Sequence, residues 1–286
     1  MKSVYEMRQR WAPSFVAVFA GTLLLVGCGD GLGGWLISDQ QEVEIGEEVD
    51  RQIRAEYRIL SPNDPVSIWA DQLVSNLVRG SEGFRRPEDF GGYKVAVIYD
   101  DDFVNAFAGP GGFVYITTGL ILMADRCAEP AAVMSHELAH VTERHSVKNI
   151  EQQYGWTTLA QWILGDGLAA DGVAIMSQFL LSTTYSRDKE FEADEVGMQI
   201  AFHAGYNPYG MVDFFEKLEA MSGGASMPTF LSSHPPTSER IAEVDRKIQA
   251  FFPGQVVREQ TQTYNCIGTQ MQLGEVQERI RAGQLN

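Results

Sequence analysis

Apolar residues recur every three to four positions through most of this chain and alternate in only two short stretches. Val43, Ile45, Val49 and Ile53 give residues 41–60 a helical stripe; Ile68, Leu73 and Leu77 do the same for residues 65–78. Residues 130–147 read as a third helix, opened by Pro130 and rich in alanine, leucine and valine. Helical spacing returns over residues 186–203, 209–221, 237–251 and 275–281. Residues 156–181 are apolar with helical spacing but are broken by Gly165-Asp166-Gly167 and Asp171, so they predict a helical hairpin and not a membrane span. The β-branched stretch 93–99 and the alternating stretch 113–117 predict strands. Many helices and few strands predict an α+β fold, mostly helical with a small sheet.

The start of the chain has a different grammar. Lys2, Arg8 and Arg10 outweigh Glu6, and an apolar run follows to Gly27, interrupted by Pro13. That pattern predicts a targeting segment over residues 1–27. It ends in Leu25-Val26-Gly27-Cys28, which resembles a bacterial lipobox. The resemblance implies cleavage before Cys28 and lipid on that residue, hence a periplasmic protein held to a membrane by acyl chains. The alternative is an ordinary anchor helix with a chance cysteine. Gly29, and not an aspartate, follows Cys28, which leans toward the outer membrane. Residues 28–40 then read as a lipidated N-terminus and tether, 41–252 as the folded domain and 253–286 as a polar C-terminal tail. The net charge of −16, with no basic cluster, excludes nucleic acid as a natural partner. An oxidising compartment makes Cys127 and Cys266 a candidate disulfide, with two buried free thiols as the alternative.

The chemistry concentrates in His136-Glu137-Leu138-Ala139-His140. Residues four apart share a helix face, so His136 and His140 can reach one metal ion, and Glu137 can touch a water there without ligating the metal. The bland alternative is a buried helix with two satisfied histidines. A catalytic zinc takes three protein ligands. Glu190 and Asp194, four apart on a later helix, supply candidates: Glu190 as ligand and Asp194 as the group that orients a ligand imidazole. Glu192 and Glu195 point elsewhere on the helical wheel and read as surface residues. A fully solvated acidic face is the alternative for all four.

H-E-x-x-H followed by Glu190-Phe-Glu-Ala-Asp194 resembles the gluzincin family of CAAX prenyl proteases and their bacterial relatives. Asn105-Ala-Phe-Ala-Gly-Pro-Gly-Gly112, Arg144-His145 and Ser233-His-Pro-Pro-Thr-Ser-Glu-Arg240 agree with it, and the lipobox is similar to that of the family's periplasmic lipoprotein branch. The resemblance implies a zincin-type domain with one Zn2+ per chain, and a zinc endopeptidase in which Glu137 is the general base. It implies a substrate strand laid along Asn105, Ala106, Phe107 and Ala108. The implied substrates are unfolded or misassembled envelope proteins, with outer-membrane assembly machinery as a further partner. A lipoprotein chaperone that binds outer-membrane clients with little proteolysis is the alternative. It further implies a His234 that approaches the zinc, either restraining the site or stabilising an oxyanion; a helix-entry histidine bonded to backbone is the bland reading. Arg240 is a candidate substrate-binding residue through a carboxylate, with pinning of its own loop as the alternative, and His145 reads as structural. Gly109 stands where the family has leucine, so the loop after the edge strand is expected to be looser.

Overall fold

In the computed structural model, residues 37–153, 184–221, 230–235, 238–258 and 266–286 are described. The targeting segment, the lipobox with Cys28 and the hairpin expected at residues 156–181 lie outside them. Ser38 caps α1 (Asp39–Glu56) in a reciprocal capping box with Gln41. Asp64 caps α2 (Pro65–Gly80), whose proline occupies the first turn where its missing N–H costs nothing. Three strands follow: β1 (Lys94–Ile98), β2 (Ala106–Ala108) and β3 (Phe113–Thr117). Their order is β1-β3-β2, with β1 parallel and β2 antiparallel to β3. β2 is therefore an edge.

The alternation of the strands serves two cores. Val97, Ala106, Val114 and Ile116 face the main core. Ala96, Ile98, Phe107, Phe113 and Tyr115 face a second one, shared with Ile45, Val49 and Ile53 of α1. The short helix α3 (Thr118–Met123) leads to α4 (Ala128–Thr142), every residue of which is buried. After α4 the chain turns at Arg144 and resumes a helix at residue 145. The main core also takes α5 (Arg187–His203), α6 (Tyr209–Met221) and α8 (Ser238–Phe251), with α7 (Phe230–Ser233) a single turn between them. A mostly helical domain with a small mixed sheet is what the hydrophobic spacing predicts. Among the described residues, no helix is long and apolar enough to cross a membrane.

The loop after β2 is tied down despite Gly109. That residue has φ −98°, which any residue adopts, and its N–H donates to Phe113 O. The glycine that matters is Gly111, at φ +70°, where a Cβ would lie 2.7 Å from Val43 Cα; its N–H donates to the Glu42 carboxylate.

The polar C-terminal segment is docked. α9 (Leu273–Arg281) buries Leu273, Val276 and Ile280, and Gln277 donates to the carbonyls of Ile121 and Ala124. Cys127 and Cys266 form a disulfide with Cα atoms 5.2 Å apart. On the chain-entropy view, a closed loop of this length contributes about 5 kcal/mol as an upper figure. The Cys127→Ser/Cys266→Ser double variant is therefore expected to unfold at lower denaturant than the oxidised protein. Superimposable unfolding curves would contradict this.

Candidate metal centre

Four of the five histidines of the chain bear on one place. His136 and His140 project from the same face of α4, and Glu190 comes from the first turn of α5. The two helices pack closely because Gly197 faces the backbone of His136, where an added Cβ would sit 3.0 Å from His136 Cα. His234 arrives from α7. Its N–H is held by Phe230 O, its ring stacks on Phe230, and Phe230 N–H in turn donates to Val104 O beside β2.

The ligating atoms of His136, His140, Glu190 and His234 all lie within 4.8 Å of one another, and all four residues are buried. His136 Nε2 lies 3.0 Å from His140 Nε2 and 3.3 Å from His234 Nδ1. Glu190 Oε1 lies 3.0 Å from His234 Nδ1 and 3.5 Å from His140 Nε2. Donors about 2.0–2.2 Å from a tetrahedral zinc stand roughly 3.3–3.6 Å apart, so these separations are close to the edges of such a tetrahedron. Two imidazole nitrogens facing each other across 3.0 Å, beside a carboxylate, share either a proton or a cation, because two bare lone pairs at that distance repel. The donor set of three imidazoles and one carboxylate suits a single zinc ion.

The frame around the donors is charged and buried. Asp194 Oδ1 lies 3.0 Å from His136 Nδ1. Arg240 grips both Asp194 oxygens at 2.7 Å, and its Nη1 lies 2.7 Å from Glu190 Oε2 and 3.0 Å from the Pro235 carbonyl. Burial alone would push the Glu190 and Asp194 carboxyls up. His234 and Arg240 beside Glu190, and Arg240 beside Asp194, hold both below the ordinary range instead. Burial pushes His140 well down, whereas Glu190 and Glu137 outweigh burial at His234 and raise it. Of the two readings of Arg240, these contacts fit the one in which it pins the loop: its guanidinium is engaged by the site's own carboxylates and a carbonyl, and it is 2% exposed. It belongs to the frame.

Glu137 lies beside the donors, 1% exposed, with Oε1 3.6 Å from His234 Nε2. Neither of its oxygens has a well-aligned hydrogen-bond donor among the described residues. Burial pushes its carboxyl up, with His234 and His136 pulling the other way.

β2 runs past this cluster. Asn105 O accepts from Thr117 N, and Gly109 N donates to Phe113 O, so alternate residues bond to β3. The main-chain groups of Ala106 and Ala108 are thereby directed away from it. That edge is covered in this state. Ser146 Oγ lies 3.3 Å from Ala108 O and 2.8 Å from the Tyr185 hydroxyl, and the Tyr185 ring stacks on His140 at 4.0 Å.

Tyr185, Ser146 and the pair His145–Glu192 are the residues that sequence reasoning missed. His145 reads as structural and Glu192 as surface in a helical wheel. In the fold, His145 Nδ1 lies 2.8 Å from His140 Nδ1, and His145 Nε2 lies 3.0 Å from Glu192 Oε2. The signal available was the spacing of His145, five residues after His140 and just beyond the end of α4.

Comparison with known proteins bears on this centre. The chain is 30% identical over 256 residues to the beta-barrel assembly-enhancing protease of Escherichia coli (strain K12), covering 85% of this chain and 50% of that protein. It is 28% identical over 236 residues to the mitochondrial metalloendopeptidase OMA1 of Schizosaccharomyces pombe, covering 78% of this chain and 65% of that one. It is 32% identical over 162 residues to Metalloprotease YcaL of Escherichia coli (strain K12), covering 54% and 61%. The chain spans about half the length of the beta-barrel relatives it matches. Residues 69–248 match Peptidase family M48, a span that takes in α4, α5, His234 and Arg240. With the matched span enclosing the whole donor cluster and Glu137, the chain belongs to peptidase family M48.

Proposed function

We propose that this chain is a zinc endopeptidase of the bacterial envelope, acting on unfolded or misassembled proteins. The observation that carries the reading is the convergence of His136, His140 and Glu190 beside a buried Glu137 with unsatisfied oxygens. Zinc held there would polarise a carbonyl and lower the pKa of a water. With the metal bound, Glu137 would take a proton from a water at the site and deliver it to the departing amine. Asp194, held by Arg240, keeps the His136 ring aimed. Ala106 and Ala108 offer main-chain groups to a substrate strand, with Asn105 and Phe107 fixing the register against β3. Main-chain recognition is tolerant of sequence, which suits unfolded clients. The printed name of the beta-barrel relatives suggests outer-membrane proteins and their assembly machinery as the clients and partner here. An acyl anchor on Cys28 would hold the enzyme in the periplasm, on the outer membrane.

The test is digestion of an unfolded protein by the zinc-loaded chain. Cleavage is expected, abolished by chelation and restored by zinc. No cleavage by the zinc-loaded wild type or by zinc-loaded His234→Ala would overturn the assignment.

The clustering of His234 with the other donors supports a restrained state, and with it the chaperone-like reading. A catalytic zinc site keeps one position open, and His234, clustered with the other three donors, would fill it. Ser146 and Tyr185 cover the edge of β2 at the same time. His234→Ala is therefore expected to raise basal cleavage. A loss of about 10²–10³-fold instead would assign His234 to oxyanion stabilisation and sink the restraint.

A further inference from the structure

Each α4 imidazole needs its proton on Nδ1 if Nε2 is to face the metal. For His136 the neighbouring carboxylate is Asp194, whose Oδ1 lies 3.0 Å from Nδ1. For His140 no carboxylate among the described residues plays that part; His145 Nδ1 lies there instead. We propose that Arg144, His145 and Glu192 form a positioning chain that fixes the tautomer and aim of His140. The proposal rests on the zinc reading of the site but not on peptidase activity.

The proton assignment follows from one end. An ionised carboxylate only accepts, so Glu192 Oε2 takes the hydrogen bond of His145 Nε2–H at 3.0 Å. A neutral imidazole carries one N–H, so His145 Nδ1 is bare and accepts. Its partner, 2.8 Å away, is His140 Nδ1, which must then donate. The lone pair of His140 is left on Nε2, the atom that faces His136 and Glu190. His145 is fully buried, whereas the Glu192 side chain is about half exposed, so the chain of hydrogen bonds runs from the donor cluster to the rim of α5.

The backbone shows what this arrangement demands. Arg144 has φ +54°, the one non-glycine residue with positive φ among the described residues. Such a conformation is disfavoured and persists where surroundings hold it. Here the surroundings are the start of α1: Arg144 Nε lies 2.9 Å from Glu42 Oε2, Nη1 lies 3.6 Å from Asp39 Oδ1, and Nη2 donates to Ile37 O at 2.7 Å. The turn at Arg144 is what folds His145 back beneath His140, with ring centroids 4.9 Å apart. α5 thus serves both imidazoles. It sends Asp194 to His136 directly and Glu192 to His140 through His145.

The experiment measures zinc affinity of the full chain by competition with a chromophoric chelator, alongside unfolding of the zinc-free protein. His145→Phe keeps a ring in place but removes the acceptor. It is expected to weaken zinc binding about 10–100-fold. Arg144→Val, which resists positive φ, should bind zinc about tenfold or more weakly than Arg144→Gly, which adopts it freely. Ring ¹⁵N shifts of the zinc-free protein supply the tautomer: His140 protonated on Nδ1 in wild type, shifting toward Nε2–H in His145→Phe. Wild-type affinity in a folded His145→Phe overturns the proposal, as does equal affinity in Arg144→Gly and Arg144→Val. Should His145→Phe fail to fold, Glu192→Ala decides, because that side chain is half exposed: weakened zinc binding supports the chain, and unchanged binding overturns it.

Discussion

Glu137→Gln is expected to keep its zinc and its fold and to lose cleavage by about 10²–10⁴-fold, the range of a general base. The substitution is nearly isosteric, and the residue is not among the four clustered donors. What disappears is the basic oxygen. In the native chain that oxygen is buried, carries no well-aligned donor, and has a carboxyl pushed up by burial. The check is turnover of an unfolded substrate by wild type and variant with metal content measured on the same samples. Comparable turnover at full zinc occupancy would remove Glu137 from the chemistry.

Arg240→Ala is expected to cost about 3–5 kcal/mol of stability at neutral pH, because it strands two buried carboxylates, Asp194 and Glu190. Arg240→Lys should rescue little, since a point charge cannot replace a planar fork that grips both Asp194 oxygens. The sign of the pH dependence is fixed by the same pairs. In zinc-free wild type, Asp194 and Glu190 have lowered pKa values, so their ionised forms contribute stability above the ordinary carboxylate range. That contribution is lost as pH falls through the depressed values. In the variant, the unpaired carboxylates cost most when charged and are relieved by protonation. The gap between zinc-free wild type and variant should therefore narrow as pH falls. Denaturant unfolding at several pH values measures it, and a gap that widens in acid would contradict the assignment.

Hydrophobic spacing made most of the fold legible. The stripes of α1 and α2, the alternation of β3 and the bounds of α6 are visible because each buries one face against a neighbour. The pairs His136/His140 and Glu190/Asp194 were legible for the same reason, since a four-residue interval is a statement about a helix face. Glu192 was not, because its partner reaches it through a chain reversal at Arg144, and local periodicity does not encode a reversal. The docking of residues 266–286 was hidden by their composition. A nine-residue helix with three buried positions leaves a polar average, and Leu273, Val276 and Ile280 show as a stripe only once a partner surface is known. The two readings of Arg240 stay open on sequence because an arginine near a predicted carboxylate site serves a substrate or a frame equally well; its burial favours the frame.

Cys127 stands immediately before the helix that carries His136 and His140, and its partner lies 139 residues further on. During synthesis the first thiol therefore waits through the making of every other part of the centre before its mate exists. Protein produced in a reducing cytoplasm is a linear polymer, and protein matured in an oxidising space is a closed ring with two arms. These are two materials with different ensembles to search on refolding. Activities compared across preparations have a common reference only when the thiol count of each is matched.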